Sequence, residues 1–439
     1  MGVSILSVVL VFGVIVLVHE LGHFLAAKWM GVRVERFSIG FPPRLFGKKI
    51  GDTDYCVSAI PLGGYVKMSG MLDESMDTKT TGAEYEFMSK PVWKRIIIIV
   101  AGVTMNFILA IIVLTILNYK QGEAIIPTTE IGFVGKGGIA ERIGFKVGDK
   151  ILSVNGVPVS TWNGWEDQVL KNLNSDIEYK VERDDRIIAL HFKKEWFREE
   201  KAEIPDIAWM PPAKVGEVVD GAPAAEVGLR RGDEIVEIDG QPINNWQDMT
   251  AVIRRNPEDS IRLNWRRNGD SYSAYIVPKL VEEKDSTGAI VKVGQIGIGR
   301  YLERRPVSIS TAFINGVDRT FQLLDLNMKA IWWVITGTKS AREILGGPIT
   351  IATMASEAAS VSWEYLWSLI AALSAMLAFI NILPIPALDG GHLVLLLIEG
   401  IKRKPLSMKT KLAVQQIGMA ILFTLIILIF YVDIRRYWF

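Results

Sequence analysis

The sequence predicts a multi-span α-helical membrane protein with four transmembrane helices, a membrane-associated β-hairpin region and two α+β domains outside the membrane. Three observations lead to this fold class. Four stretches are apolar over about 20 residues, the length that crosses a bilayer. The segment after the first stretch alternates like short strands. A polar segment between the second and third stretches occurs twice.

Composition narrows the function classes. The chain has 439 residues and a net charge of +1, so it has no excess of positive charge for binding nucleic acid. Its single cysteine, Cys56, excludes an intrachain disulfide. The N-terminus lacks a basic region and a small-residue cleavage site, so we expect its apolar run to be a retained span and not a secretory signal.

The first predicted span, residues 1–30, contains the motif H-E-x-x-H at His19, Glu20 and His23. On a helix the two histidines share one face, where two imidazoles can hold one Zn²⁺. Glu20 can then act as the general base of a metalloprotease. The alternative is a chance pair of histidines with a solvated glutamate. That alternative fits poorly here, because a charged group at bilayer depth is costly without a partner or a task.

The other predicted spans are residues 94–118, 363–392 and 410–434. Basic residues concentrate after the first span, before the second, and between the third and fourth. Because such residues mark the cytoplasmic ends of spans, we expect these segments to face the cytoplasm. Both termini and the long polar region then lie on the opposite side, although Arg435 and Arg436 count against this orientation.

The segment 31–90 is predicted to form β-hairpins. Residues 32–40 and 54–60 alternate like strands, and glycines follow them at turn positions. A sheet edge beside the motif helix can pair with an extended peptide. The alternative is a small hairpin domain on the cytoplasmic side without any substrate role.

An internal repeat fills the polar region. Residues 137–162 align without a gap on residues 221–246, and both copies contain Gly-Asp, an apolar strand and then Asn-Gly or Asp-Gly. We place the two domains at 124–212 and 213–303. Both resemble PDZ domains, which bind peptide ends by adding a strand to a sheet edge. The alternative is a pair of spacer domains without a ligand.

Residues 304–360 are predicted to form amphipathic helices on the membrane surface. Between Phe313 and Ile335, apolar side chains recur at a spacing of three to four residues, with Asp318 and Arg319 among them. Such a helix can lie in the membrane interface. The alternative is that it packs against the repeated domains.

The third span is predicted to supply the rest of a metal site. A catalytic zinc usually has three protein ligands, and the first span supplies only two. The third span ends in the run from Asn381 to Asp389, whose two prolines interrupt the helix. We expect Asp389 to be the third ligand, with Asn381 facing inward. His392 is the rival ligand, and a helix-capping role for Asp389 is the other alternative.

These motifs together closely resemble the site-2 family of intramembrane zinc metalloproteases. The resemblance rests on the H-E-x-x-H motif, on the run Asn381…Pro384-x-Pro386-x-Leu388-Asp389, and on paired PDZ-like domains between the second and third spans. It covers nearly the whole chain. Within the family, the chain is most similar to the bacterial type with tandem PDZ domains.

The resemblance implies an enzyme that hydrolyses peptide bonds within transmembrane segments. It implies Zn²⁺ as the cofactor, held by His19, His23 and Asp389, and it implies Glu20 as the general base. The implied location is the bacterial inner membrane, with the active site toward the cytoplasm.

The resemblance also implies how substrates are held. Asn381 would contact the substrate backbone, and the hairpin around Gly63, Gly64 and Tyr65 would lie beside the site. The PDZ-like domains would face the periplasm and exclude substrates that keep a folded outer domain. The implied partners are the lipid bilayer and single-span membrane proteins, namely an anti-sigma factor already trimmed by another protease and remnant signal peptides. No nucleic acid is implied.

Two positions depart from the usual family pattern. Pro42 follows Gly40-Phe41 where the family often has glycine, which removes a backbone donor. The second span keeps Gly102 and Asn106 but lacks the proline that often follows the glycine.

Two other function classes remain open from the residues. Intramembrane His, Glu and Asp also line the pathways of zinc or proton transporters, although the second and fourth spans offer few further polar residues. A non-enzymatic PDZ scaffold with membrane anchors is the other class, but it leaves Glu20 without a role.

Overall fold

The computed structural model describes residues 5–71, 81–172, 175–196, 206–284, 289–337 and 346–438. The predicted segments 1–30, 31–90, 124–212, 213–303 and 304–360 each include some residues outside these ranges. The chain divides into two compact units. We call them the helical unit (Met1–Gln121 with Val307–Phe439) and the repeat unit (Gly122–Pro306).

The elements follow one another in this order. The first part of the helical unit contains α1 (Ile5–Trp29), β1 (Val34–Ile50), β2 (Thr53–Met68), a 3-10 helix (Phe87–Ser89) and α2 (Val92–Gln121). The repeat unit contains β3 (Glu123–Ile125), β4 (Phe133–Val134), α3 (Ile139–Ile143), β5 (Lys150–Val154), β6 (Val157–Pro158), α4 (Trp162–Lys171), β7 (Ile177–Arg183), β8 (Arg186–Phe192), β9 (Ile207–Ala208), β10 (Val215–Val218), α5 (Pro223–Glu226), β11 (Glu234–Ile238), β12 (Gln241–Pro242), α6 (Trp246–Arg255), β13 (Ile261–Arg267), β14 (Asp270–Ile276), β15 (Lys279–Lys284), β16 (Ile290–Gln295), β17 (Ile298–Arg300) and β18 (Glu303–Arg305). The second part of the helical unit contains α7 (Ile309–Ile335), α8 (Pro348–Val361), α9 (Trp363–Ile382), α10 (Asp389–Lys402) and α11 (Met408–Trp438).

Four helices of the described residues, α1, α2, α9 and α11, are long and apolar enough to cross a membrane. They match the four predicted spans in number and order. α2 is the common partner, since it contacts α1, α7, α9 and α10. Elsewhere in the unit, Val11 and Ile15 of α1 pack with Leu366 and Ile370 of α9. The first and third spans are therefore in direct contact.

The third predicted span, 363–392, needs a correction at its C-terminal end. α9 ends at Ile382, and Asp389 begins the separate helix α10. Pro384 and Pro386 cannot donate the backbone bonds that would continue the helix. Ala387, between the two helices, has φ of +77°, a left-handed conformation that a regular α-helix does not contain. The predicted loop between the last two spans therefore contains a helix of its own.

The position of residues 304–360 on the membrane surface stays a prediction, but the contacts of α7 within the helical unit were not predicted. α7 packs against α2 and α9 inside the helical unit. Asn315 donates a hydrogen bond of 3.2 Å to Asn118 of α2, and Leu323 packs against the cluster containing Ala110. The small residue Gly316 faces Thr115 of α2. Small residues allow two helix backbones to approach closely, and the apolar stripe alone did not reveal that contact.

β1 and β2 form the predicted hairpin region as one antiparallel sheet. The middle of β1 is paired on both sides, since Ser38 faces Tyr65 and also Cys56. Among the described residues, the part of β2 from Gly64 onward is paired only with β1. Its other edge is therefore open, and Gly64 lies against Val16 and Glu20 of α1.

The repeat unit contains two copies of one arrangement. The sheet orders are β6-β5-β7-β8 and β12-β11-β13-β14, so corresponding strands take the same places. A short helix precedes each sheet, and a longer helix, α4 or α6, lies between its second and third strands in sequence. Each copy has its own apolar core, which contains Trp162 and Trp165 in the first and Trp246 in the second.

The Gly-Asp signature of the repeat has a structural cause. Asp149 and Asp233 are both fully buried. Each accepts hydrogen bonds of 2.6–2.7 Å from an arginine at the end of the third strand, Arg183 or Arg267. The same arginines donate to the carbonyl oxygen at the end of the preceding short helix. One buried ion pair therefore joins helix, turn and strand in both copies.

Candidate metal centre

The two motif histidines point the same ring nitrogen toward the start of α10. His19 and His23 lie one turn apart on the buried face of α1, with 8% and 7% of their surfaces exposed. Nε2 of His19 lies 3.3 Å from Oδ2 of Asp389, and Nε2 of His23 lies 3.4 Å from the same oxygen. The two Nε2 atoms are 3.2 Å apart. Three potential ligand atoms thus form a nearly equilateral triangle.

This triangle fits a tetrahedral zinc ion. Zinc binds nitrogen and oxygen at about 2.0–2.2 Å, so neighbouring ligands of a tetrahedral site are separated by about 3.3–3.5 Å. Two imidazoles with one carboxylate form a set that catalytic zinc sites use. Oδ2 of Asp389 is buried and finds no hydrogen-bond donor in the described part of the chain. An oxygen in that state suits a bound cation.

His392, the rival ligand, is not part of the cluster. Among the described residues, only His19, His23 and Asp389 bring three such side chains within reach of one ion. His392 lies three residues beyond Asp389 on α10 and lines the same cavity without joining the triangle.

One cavity of about 650 Å³ brings the predicted site together. Its walls include all eight residues that the sequence analysis selected: His19, Glu20, His23, Gly63, Gly64, Tyr65, Asn381 and Asp389. The residues come from α1, β2, the end of α9 and the start of α10. The site is therefore assembled from four separate elements.

Glu20 lies between the metal triangle and the open strand edge. Its carboxylate faces the backbone N–H of Val66. A side chain at Gly64 would contact it, because a Cβ there would lie 3.4 Å from Cγ of Glu20. Asn381 is on the other side, with Nδ2 3.4 Å from Nε2 of His19. Both side chains can reach a group bound at the triangle.

Sequence reasoning missed several residues of the cavity. Arg36 donates a 3.1 Å hydrogen bond to the hydroxyl of Tyr65, and this bond raises the pKa of Arg36. Lys67 and Gln415 also line the cavity. In the sequence, Arg36 appears only as a charge beside a span, whereas Lys67 lies in the hairpin that the resemblance placed beside the site.

Three potential zinc ligands among membrane-length helices, with Glu20 beside them, fit the class of membrane-embedded zinc metalloproteases. Residues 7–425 match the model of Peptidase family M50. The chain belongs to this family, the site-2 proteases, and it is a metalloprotease of the membrane. The resemblance that the motifs predicted is confirmed. Proteolysis is thereby favoured over the transporter and scaffold alternatives.

The chain is also similar to regulators of sigma-E protease over nearly its full length. The Regulator of sigma-E protease RseP of Escherichia coli (strain K12) is 31% identical over 452 residues, which cover 98% of each chain. The protein of the same name from Salmonella typhimurium (strain 14028s / SGSC 2262) is 31% identical over 455 residues, with coverage of 99% and 98%.

A solved structure resembles part of the chain. The PDZ domain of the SdrC-like protein from Listeria monocytogenes is 28% identical where it aligns. The alignment covers 21% of this chain and 90% of that domain, with a TM-score of 0.16.

Proposed function

We propose that this metalloprotease cleaves peptide bonds within the transmembrane segments of single-span membrane proteins. The observation behind the proposal is the convergence of Nε2 of His19, Nε2 of His23 and Oδ2 of Asp389 at separations of 3.2–3.4 Å. These ligands lie among helices long enough to span a bilayer, and an open strand edge lines the same cavity.

The chain's own side chains have distinct roles in the proposed reaction. His19, His23 and Asp389 hold zinc, which when bound supplies a Lewis acid and lowers the pKa of a coordinated water. Glu20 takes the proton of the attacking water and delivers it to the leaving nitrogen. Asn381 donates its amide N–H to the substrate backbone, since its Nδ2 lies beside the triangle.

The open edge of β2 gives the substrate a place to unwind. A transmembrane helix hides its carbonyl groups in its own hydrogen bonds, so it must extend before it can be cleaved. A segment that pairs with the edge at Gly64 would be held extended beside Glu20. Gly63 and Gly64 add no side chains of their own at this edge, where the ring of Phe41 lies against Gly63, and Tyr65 lines the cavity at the next position.

The physiological setting is part of the proposal. The enzyme would lie in the bacterial inner membrane with its site toward the cytoplasm and its PDZ-like repeats in the periplasm, where they exclude substrates with a folded outer domain. Its substrates would be an anti-sigma factor already trimmed by another protease, and remnant signal peptides. The similarity to regulators of sigma-E protease supports the first substrate class.

A reconstituted cleavage assay tests this function. The full-length protein, purified in detergent, is mixed with a single-span model substrate, and its cleavage is followed after chelation and after zinc is restored. We expect chelation to stop cleavage and zinc to restore it. Cleavage that persists in the fully metal-depleted protein would exclude zinc proteolysis. Cleavage confined to soluble peptides would exclude the transmembrane substrate.

A further inference from the structure

The second nitrogen of each motif histidine has its own partner on α2. Nδ1 of His23 lies 2.9 Å from the backbone carbonyl oxygen of Ile98. A carbonyl oxygen only accepts hydrogen bonds, so Nδ1 of His23 must be the protonated nitrogen. Nε2 of His23 then keeps its lone pair and can bind a metal. The helix backbone therefore fixes the tautomer of this histidine.

Asn106 lies beside Nδ1 of His19, as the carbonyl group of Ile98 lies beside Nδ1 of His23. It is fully buried on α2, with Nδ2 placed 3.3 Å from Nδ1 of His19. Its Oδ1 is buried and has no hydrogen-bond partner in the described part of the chain. A buried amide oxygen without a hydrogen-bond donor destabilises the folded protein. An amide that faces Nδ1 through nitrogen would also require the proton of His19 on Nε2, where the metal lone pair is needed.

Rotating the side-chain amide of Asn106 by 180° removes both problems, namely the buried oxygen without a donor and the proton on Nε2 of His19. The two ends of an asparagine amide have almost the same shape, so the hydrogen-bond network decides which one faces the ring. With Oδ1 toward His19, the oxygen gains a donor and Nδ1 carries the proton. Both histidines then present Nε2 with a free lone pair to Asp389.

We propose that Asn106 is the positioning residue of His19, with Oδ1 accepting the Nδ1–H bond and holding Nε2 ready for the metal. This inference rests on the zinc site of the proposed function. Buried histidine ligands commonly bond through their other nitrogen to a carbonyl or carboxylate oxygen, and losing that partner weakens metal binding about 10- to 100-fold.

The spacing of three residues on one face of α2 supports the positioning role of Asn106. Ile98, Gly102 and Asn106 are four residues apart, so they lie in one row along the helix. Ile98 supplies the oxygen for His23, and Gly102 leaves room for the His23 ring. Asn106 supplies the amide for His19. One face of the second span therefore supports both imidazoles.

The position of Asn106 is fixed independently of its side chain. Its backbone carbonyl oxygen accepts a 2.9 Å hydrogen bond from Oγ of Ser374 on α9. This bond provides a control, because Ser374→Ala removes a contact between Asn106 and α9 and leaves the side-chain amide of Asn106 beside His19.

The test compares zinc affinity across four full-length proteins in detergent, measured by competition with a chromogenic chelator. We expect Asn106→Leu, which has a similar size and no acceptor, to bind zinc about 10- to 100-fold more weakly than wild type. Asn106→Asp keeps an acceptor oxygen and should stay within about threefold of wild type, as should Ser374→Ala. If the leucine variant does not accumulate in membranes, Asn106→Ala takes its place.

Cobalt substitution adds a readout that a loss of packing would not move. The visible absorption of Co²⁺ bound in place of zinc should change in Asn106→Leu and be restored in Asn106→Asp. Wild-type affinity in Asn106→Leu would overturn the inference. Equal losses in the leucine and aspartate variants would overturn the acceptor role. A wild-type protein that binds no zinc at all would instead overturn the proposed function.

Discussion

Nε2 of His19 lies 3.3 Å from Oδ2 of Asp389, although the two residues belong to helices near opposite ends of the chain. The approach depends on the break after α9. Because the helix stops at Ile382, the chain turns and places Asp389 at the first residue of α10. A continuous third span would carry Asp389 about 10 Å further along its axis from Ile382, at 1.5 Å per residue. The break therefore brings the carboxylate to the histidines.

Replacing the general base should separate catalysis from metal binding. We expect Glu20→Gln to lower the cleavage rate about 10²- to 10⁴-fold, because a positioned acid–base group contributes that much. The measurement is the initial rate on a single-span substrate, with zinc content determined in the same preparation. Glu84→Gln, at an exposed position before α2, serves as the control. A near-normal rate in Glu20→Gln would show that another group takes the proton.

Replacing the third ligand should remove the metal. Asp389→Asn keeps the shape of the side chain but loses the charge, so we expect its zinc content to fall well below that of wild type. The same measurement on His392→Gln tests the rival ligand, and here zinc should be retained. The assignment of Asp389 fails if the two variants show the reverse pattern.

Adding one methyl group behind the site should disturb His23. A Cβ at Gly102 would lie 2.7 Å from Cε1 and 2.8 Å from Cδ2 of the His23 ring. We therefore expect Gly102→Ala to lower both zinc content and cleavage. Gly13→Ala is the matched control on the neighbouring span, because no atom lies within 4 Å of the added group. Equal zinc contents in the two variants would show that the ring can move aside.

The buried ion pair should stabilise each copy of the repeat. Asp149→Ala leaves Arg183 without its partner, and Asp233→Ala does the same to Arg267. We expect each change to lower the free energy of unfolding of the repeat unit by about 2 kcal/mol or more. Amide hydrogen exchange in the full-length protein measures the loss copy by copy. Asp167→Ala, on the exposed side of α4, is the control. Unchanged protection in both aspartate variants would contradict the role of the pair.

A second buried charge cluster should hold α10 in place. Glu399 accepts a 2.8 Å bond from Arg95 of α2 and a 2.7 Å bond from Lys411 of α11. All three side chains are buried. Removing the carboxylate leaves two buried cations without a counter-charge, and breaking comparable buried pairs costs about 3–5 kcal/mol.

We therefore expect Glu399→Ala to lower the thermal stability of the purified protein, whereas Lys402→Ala on the exposed side of the same helix should not. The measurement is thermal unfolding in detergent, followed by tryptophan fluorescence. A melting temperature equal to wild type in Glu399→Ala would mean that the cluster is dispensable.

Patterns within single segments of the sequence were enough to predict much of the metal site. The motif at His19, Glu20 and His23 depends only on helical spacing, and it was identified directly. The choice of Asp389 followed from the scarcity of acids near the third span. Asn106, by contrast, stood out only as a polar residue of the second span, and its partner His19 could not be predicted because that contact depends on two helices meeting at one depth.

By itself, the sequence determined the number and order of the apolar helices, the repeat, and the residue types able to hold zinc. Those properties depend on composition and on spacing along one element, and both can be read directly from neighbouring residues. Only the tertiary structure decided that Asp389 begins a helix of its own, that α7 packs against α2, and which strand edge of β2 stays open. These features arise from contacts between distant segments, where packing and buried hydrogen bonds outweigh local preference.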